Sequence, residues 1–235
     1  KNKNVSTKVE KLNSDLVGTH SWDNLEQLFT VLNQSINYVV LRNFENLFEE
    51  PINDDHGDID ILVDNYALAC NLINSKPIFD ETYRVAQEVK VGNRKIHFDV
   101  RSVNDGYLDE KWSKKILKNR YFSSGGFFTP SNEDFFYSLL YHALVNKKKI
   151  TEDYKLSLLT TSQKIGLKIE SNDLKNRILA SRILDKYILK NNYNFTEPDD
   201  LTVGYHSLPG ISHRFSLRSR KLRKYYYKLL NKLGF

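Results

Sequence analysis

Asp58-Ile59-Asp60-Ile61-Leu62-Val63 is the stretch on which the reading of this chain turns. In an extended strand, residues two apart face the same way. Asp58 and Asp60 therefore share one face, while Ile59 and Ile61 turn towards a core. Two neighbouring carboxylates repel each other unless a cation lies between them, and Mg²⁺ accepts one or two carboxylates together with phosphate oxygens. A second segment matches the first. In Lys95-Ile96-His97-Phe98-Asp99-Val100-Arg101, Ile96, Phe98 and Val100 form an apolar face and His97, Asp99 and Arg101 a polar one. If the two strands lie side by side, Asp99 joins Asp58 and Asp60. Three carboxylates can hold one or two divalent ions, which bind phosphate oxygens, activate a hydroxyl and neutralise a leaving pyrophosphate.

The flanking elements follow from local signals. Ser21 or Asp23 caps a helix with Leu25, Leu28, Phe29 and Leu32 on one face. Ile36–Leu41 is a β-branched run that reads as a buried strand, and Arg42–Gly57 reads as a loop. Tyr66–Ile73 suits a helix. Thr82–Val91 and Lys95–Val103 alternate as strands across a Gly92-Asn93 turn. Asp109–Lys118 is read as helical, and Ser123–Pro130 as a Gly- and Phe-rich loop, either a lid or a hinge. Beyond Pro130 the pattern turns helical: Ser131 to about Lys147, Thr151 to about Ile165, about Asn172 to Leu189, and again from about Ser216. The expected fold class is α+β: a mixed β-sheet with flanking helices, then an α-helical C-terminal domain. The expected division is a polar segment over 1–22, an α/β domain over 23–122, a helical domain over 123–205 and a basic amphipathic tail over 206–235.

This pattern resembles the nucleotidyltransferase superfamily, the polymerase-β-like fold. The residues that carry the likeness are strand Ile36–Leu41, then Asp58-x-Asp60, then Asp99, over roughly residues 23–105. More narrowly, Leu41-Arg42-Asn43-Phe44-Glu45 with the Asp58–Val63 strand looks like nucleotidyltransferase-like proteins of bacterial surface-polysaccharide synthesis. Tyr141-His142-Ala143-Leu144, Lys147 and Asp153-Tyr154 look like the same group. The resemblance implies a metal-dependent transferase with Mg²⁺ or Mn²⁺ on Asp58, Asp60 and Asp99, Asp99 also activating the acceptor hydroxyl. It implies a nucleotide or nucleotide-activated donor and a glycan, alditol or other small-molecule acceptor. Arg42, Asn43, Arg101, His142 and Lys147 are the candidate substrate-binding residues. Where the superfamily carries a Gly-Ser pair, this chain has Arg42-Asn43. A guanidinium there can grip phosphate bidentately, and a diphosphate-bridged donor fits as well as a triphosphate. Two other functions stay open: a catalytically silent relative that binds a partner, and an RNA-directed nucleotidyltransferase. His142 lies on a largely apolar helix face, so a satisfied core histidine is its plainer reading.

The chain has 235 residues with 35 basic and 29 acidic side chains, a formal charge of +6. That charge is unevenly placed. His206–Phe235 holds eight Lys and Arg and no acid, so the remainder carries 27 basic and 29 acidic residues, a net of −2. The tail sets Leu222, Tyr226, Leu229 and Leu233 along one stripe. It is expected either to dock on the body by that stripe or, over 214–235, to make peripheral membrane contact. Nucleic acid ranks below both, because no recognised nucleic-acid motif accompanies it. One cysteine, Cys70, and a polar opening without a signal-peptide pattern point to the cytoplasm, with the inner membrane face as the peripheral site. P-loop, dinucleotide-fold and nucleophile-elbow motifs are absent, and an EF-hand loop over 54–60 fails because Ile59 occupies its glycine position.

Overall fold

A computed structural model describes residues 18, 20–44, 47–48, 58–215 and 220–233. The chain folds as a mixed α+β protein. Helix α1 (Leu25–Ser35) buries Leu25, Leu28, Phe29 and Leu32, the expected face. Its cap is Asn24, whose side chain accepts from the Gln27 N–H, and not Ser21 or Asp23. Strands β1 (Tyr38–Val40) and β2 (Ile59–Val63) follow, then α2 (Tyr66–Leu72), an unforeseen edge strand β3 (Lys76–Pro77), β4 (Ala86–Val91) and β5 (Arg94–Ser102). Gly92 adopts a φ of 57° in the β4–β5 turn, a conformation that glycine takes without steric cost.

The five strands run in the order β1-β2-β5-β4-β3. The β2–β5 pairing is parallel and the other three are antiparallel. Both faces of the sheet are covered. Ile59, Ile61, Val63, Ile96, Phe98 and Val100 pack into one core with residues of α1 and α2. Val39, Leu41 and Leu62 join the second core, which the helical half builds. Asp58 and Asp60 alternate with the first set and so lie on the second face, where the helices stop short and leave a cleft.

Helix α3 (Glu110–Lys118) is capped by Asp109. Strands β6 (Tyr121–Phe122) and β7 (Phe128–Thr129) form a small hairpin. The Ser123–Pro130 segment is therefore the turn of this hairpin together with its second strand. Ser123 bonds to the Phe127 carbonyl through both N–H and hydroxyl. Phe127 is buried against Phe29 and Phe48, so its aromatic ring belongs to the core.

Helix α4 (Asn132–Tyr141), capped by Ser131, continues as a π-helical turn over His142–Asn146. Helix α5 (Glu152–Lys164) starts at Thr151 as expected. The single helix expected over 172–189 is two, α6 (Ser171–Lys175) and α7 (Arg177–Lys190). Asn176 ends the first and caps the second, its side chain accepting from the N–H groups of Ile178 and Leu179, which is why the chain breaks there.

Helix α8 (Arg220–Leu233) closes the described chain. It corrects one expectation. Leu222, Tyr226 and Leu229 are exposed and do not dock the helix on the body. Docking runs through Arg223, bonded to Asp199, and Tyr227, whose ring meets that of Tyr83 at 5.2 Å. Leu233 lies outside the residues whose side chains are described. No helix among the described residues is long and apolar enough to cross a membrane.

Candidate functional site

The cleft between the sheet and the helical half has a volume of about 610 Å³. Asp58, Asp60, Asp99, Arg42, Asn43, Arg101, His142 and Lys147 all line it. The strand register explains the carboxylates. In the parallel β2–β5 ladder Asp60 stands directly opposite Asp99, and Asp58 precedes β2 on the same face. The expected polar face of β5 is present too, with His97 Nδ1 3.7 Å from an Asp58 oxygen.

Each carboxylate has its own surroundings. Asp60 is buried and pairs with Arg42, Nη2 to Oδ1 at 2.5 Å. Arg42 is itself buried, so it is not a surface residue. Burial pushes the Asp60 carboxyl up and Arg42 pulls it down. Burial opposes the Arg42 charge, but Asp60 together with Tyr107 and Tyr154 outweighs it, and the guanidinium holds its proton more firmly than usual. Asp99 accepts a hydrogen bond from Arg101 Nη2 at 3.0 Å. Asp58 is half-exposed, and burial together with repulsion from Asp99 raises its pKa.

Arg101 is 3% exposed and lies over the Tyr107 ring, 4.6 Å from its centre. Its Nε and Nη1 have no hydrogen-bond partner among the described residues, although Asp200 lies 3.8 Å from Nη1. Buried N–H groups left unpaired cost free energy unless a ligand or water meets them. Arg101 thus carries two buried nitrogens without a hydrogen-bond partner among the described residues, on a side chain that lines the cleft.

The π-helical turn brings His142, Asn146 and Lys147 to the opposite wall. His142 is buried between two tyrosines, 2.6 Å from Tyr107 Oη at Nδ1 and 3.3 Å from Tyr154 Oη at Nε2. Burial, with Arg42, Lys147 and Arg101 nearby, holds the imidazole well below its ordinary value. A neutral imidazole donates once and accepts once. The two ring nitrogens therefore play opposite roles between Tyr107 and Tyr154, one donating and one accepting. The plainer reading of His142 holds in that its ring is satisfied, yet what satisfies it are two cleft tyrosines.

The sequence reading missed Tyr107 and Asp200 as lining groups, together with Arg84. Nothing near Tyr107 in the chain marks it; only the fold sets it beside Arg42 and Arg101. Gly204 also lines the wall, and a Cβ there would come within 2.1 Å of the Asn146 carbonyl oxygen. Glycine is what lets segment 200–206 lie this close to the π-helical turn.

Among the described residues no group of three or more His, Cys, Asp or Glu is arranged to hold a metal ion. Asp60 is turned to Arg42 and Asp99 to Arg101. The donor chemistry nevertheless fits a hard cation. The set is all carboxylate oxygen, and Asp58 bears the repulsion of Asp99 that a cation would relieve.

Burial also raises Asp105, three residues beyond β5, to about 6, with Arg101 pulling the other way. The folded state therefore binds more protons than the unfolded one between about pH 4 and 6, and stability falls as pH rises through that window. The loss from this group is at most about 3 kcal/mol. Asp105→Asn should flatten the slope in urea unfolding followed across that range, and an unchanged slope would show that Asp105 does not cause it.

No family model, curated protein or solved structure matches this chain.

Proposed function

We propose that the cleft binds a phosphorylated donor with a divalent cation and transfers a nucleotidyl or other phosphoryl-linked group to a hydroxyl acceptor. The observation that carries this reading is the parallel register of Asp60 with Asp99, with Asp58 two residues away on the same face, in a cleft also lined by Arg42, Arg84, Arg101 and Lys147. Carboxylates suit the cation and arginines suit phosphate oxygens. Asp58, Asp60 and Asp99 would hold Mg²⁺ or Mn²⁺, which neutralises charge on phosphate oxygens when bound. Arg101 offers its spare N–H groups to the donor. Asp99 accepts the proton of the attacking hydroxyl. The narrower resemblance of the sequence points to a nucleotide-activated sugar or alditol donor and a surface-glycan acceptor, handled in the cytoplasm.

Calorimetry tests this. Wild type should bind nucleoside triphosphates or nucleotide-diphosphate sugars only with Mg²⁺ or Mn²⁺ present. Asp58→Asn/Asp99→Asn should weaken that binding by more than about tenfold. Equal binding by both proteins would remove the site.

One observation favours a second reading, a binding module without turnover. Arg42 and Arg101 already neutralise Asp60 and Asp99, leaving Asp58 as the one half-exposed acid of the three. Cation-independent binding with no product formed would select it.

A further inference from the structure

Helix α8 presents three faces. Arg223, Tyr227 and Leu230, at i, i+4 and i+7, are half-buried against the body. Leu222, Tyr225, Tyr226 and Leu229, at i, i+3, i+4 and i+7, are exposed, from 44% at Leu229 to 69% at Leu222. Lys224, Lys228 and Lys232, at i, i+4 and i+8, form an exposed row along the other edge of that stripe. A single exposed leucine is ordinary, but four large apolar side chains on one helix face are not what a monomer leaves to water without a use.

The charge decides the occupant. The stretch 206–235 carries eight cations and no acid, against −2 for the rest of the chain. A second copy of this chain would bring like-charged lysine rows together along a two-fold contact. A nucleic acid would use the lysines and leave the leucines wet. An anionic lipid surface uses both faces: lysines at the headgroups, and leucines and tyrosines at the boundary with the acyl chains.

We propose that α8 is an interfacial helix that seats the protein on an anionic lipid surface, with Leu222, Tyr225, Tyr226 and Leu229 in the headgroup–acyl boundary and Lys224, Lys228 and Lys232 on lipid phosphates. The third face braces the helix against the body beside the cleft. Tyr227 meets Tyr83, next to Arg84, and Arg223 holds Asp199, next to Asp200; Arg84 and Asp200 both line the cleft. Surface binding thus holds the cleft close to the lipid, whatever chemistry the cleft performs.

Co-sedimentation of the full chain with vesicles tests the proposal. Vesicles of phosphatidylcholine with about one third phosphatidylglycerol should retain the protein, and pure phosphatidylcholine should not. Lys224→Glu/Lys228→Glu/Lys232→Glu should lower the affinity at least about a hundredfold. Leu222→Ser/Leu229→Ser, which keeps every charge, should lower it about tenfold or more. Both variants alter exposed side chains, so their thermal midpoints should match wild type and rule out misfolding as the cause. Failure of wild type to bind anionic vesicles overturns the proposal. Undiminished binding by the serine variant overturns it as well, since attraction would then be charge alone. A wild-type dimer by light scattering that the serine variant converts to monomer would assign the stripe to a second copy instead.

Discussion

Replacing Asp60 by alanine is expected to lower the unfolding free energy by about 3–5 kcal/mol, because it leaves the Arg42 guanidinium buried without its partner. Both side chains are almost fully enclosed, and they meet at 2.5 Å. Taking a charge from water costs several kcal/mol, and the ion pair is what repays it here. The double variant Arg42→Met/Asp60→Leu should recover most of the loss, since it removes both buried charges. Equilibrium urea unfolding of the single and double variants closes the cycle. Asp58→Asn makes the contrast. Its carboxyl is half-exposed and strained by Asp99, so neutralising it should leave stability unchanged or raised while removing cation-dependent binding. A stability loss at Asp58 equal to that at Asp60 would mean that both acids are structural. Equal gains at both would mean that Asp60 is held for chemistry alone.

Asp134→Ala is expected to cost a similar amount, about 3–5 kcal/mol, with no direct effect on the cleft. Asp134 is fully buried at the start of α4. It accepts from Trp112 Nε1 and Tyr187 Oη, both at 3.1 Å, and from Ser131 Oγ at 2.9 Å, with Lys115 Nζ at 3.3 Å. One carboxylate thus ties α3, α4 and α7 together, and alanine would orphan an indole N–H and a phenol O–H in the core. Asp134→Asn retains an acceptor and should cost less. The denaturation midpoint should fall with little change in the m-value. A loss below about 1 kcal/mol would show that Trp112 and Tyr187 find other partners.

Much of this architecture is written locally. The alternation in Asp58–Val63 and Lys95–Arg101 places three acids and Arg101 on polar faces, because side-chain direction has period two in a strand. Ser131, Thr151 and Asp109 announce helix starts, because a cap bonds to backbone groups two or three residues on. Asn176 carried the same chemistry, but the helical pattern on both sides masked it. Charge segregation into the tail is likewise plain from composition.

The site needed contacts that no local pattern encodes. Asp60 faces Asp99 because β2 and β5 pair in parallel across the intervening α2, β3 and β4. Arg42 looked like a loop residue, and it is a buried counter-ion because the strand it follows carries it under the helical half. Tyr107 and Tyr154 enclose His142 from positions 35 and 12 residues away. In α8 the residue pattern alone makes an amphipathic basic helix, and the docking of Arg223 on Asp199 sets which face remains outward. Period, caps and charge depend on neighbours along the chain. Register, ion-pair partners and the exposed side of a helix depend on packing between distant segments, and only the tertiary structure sets those.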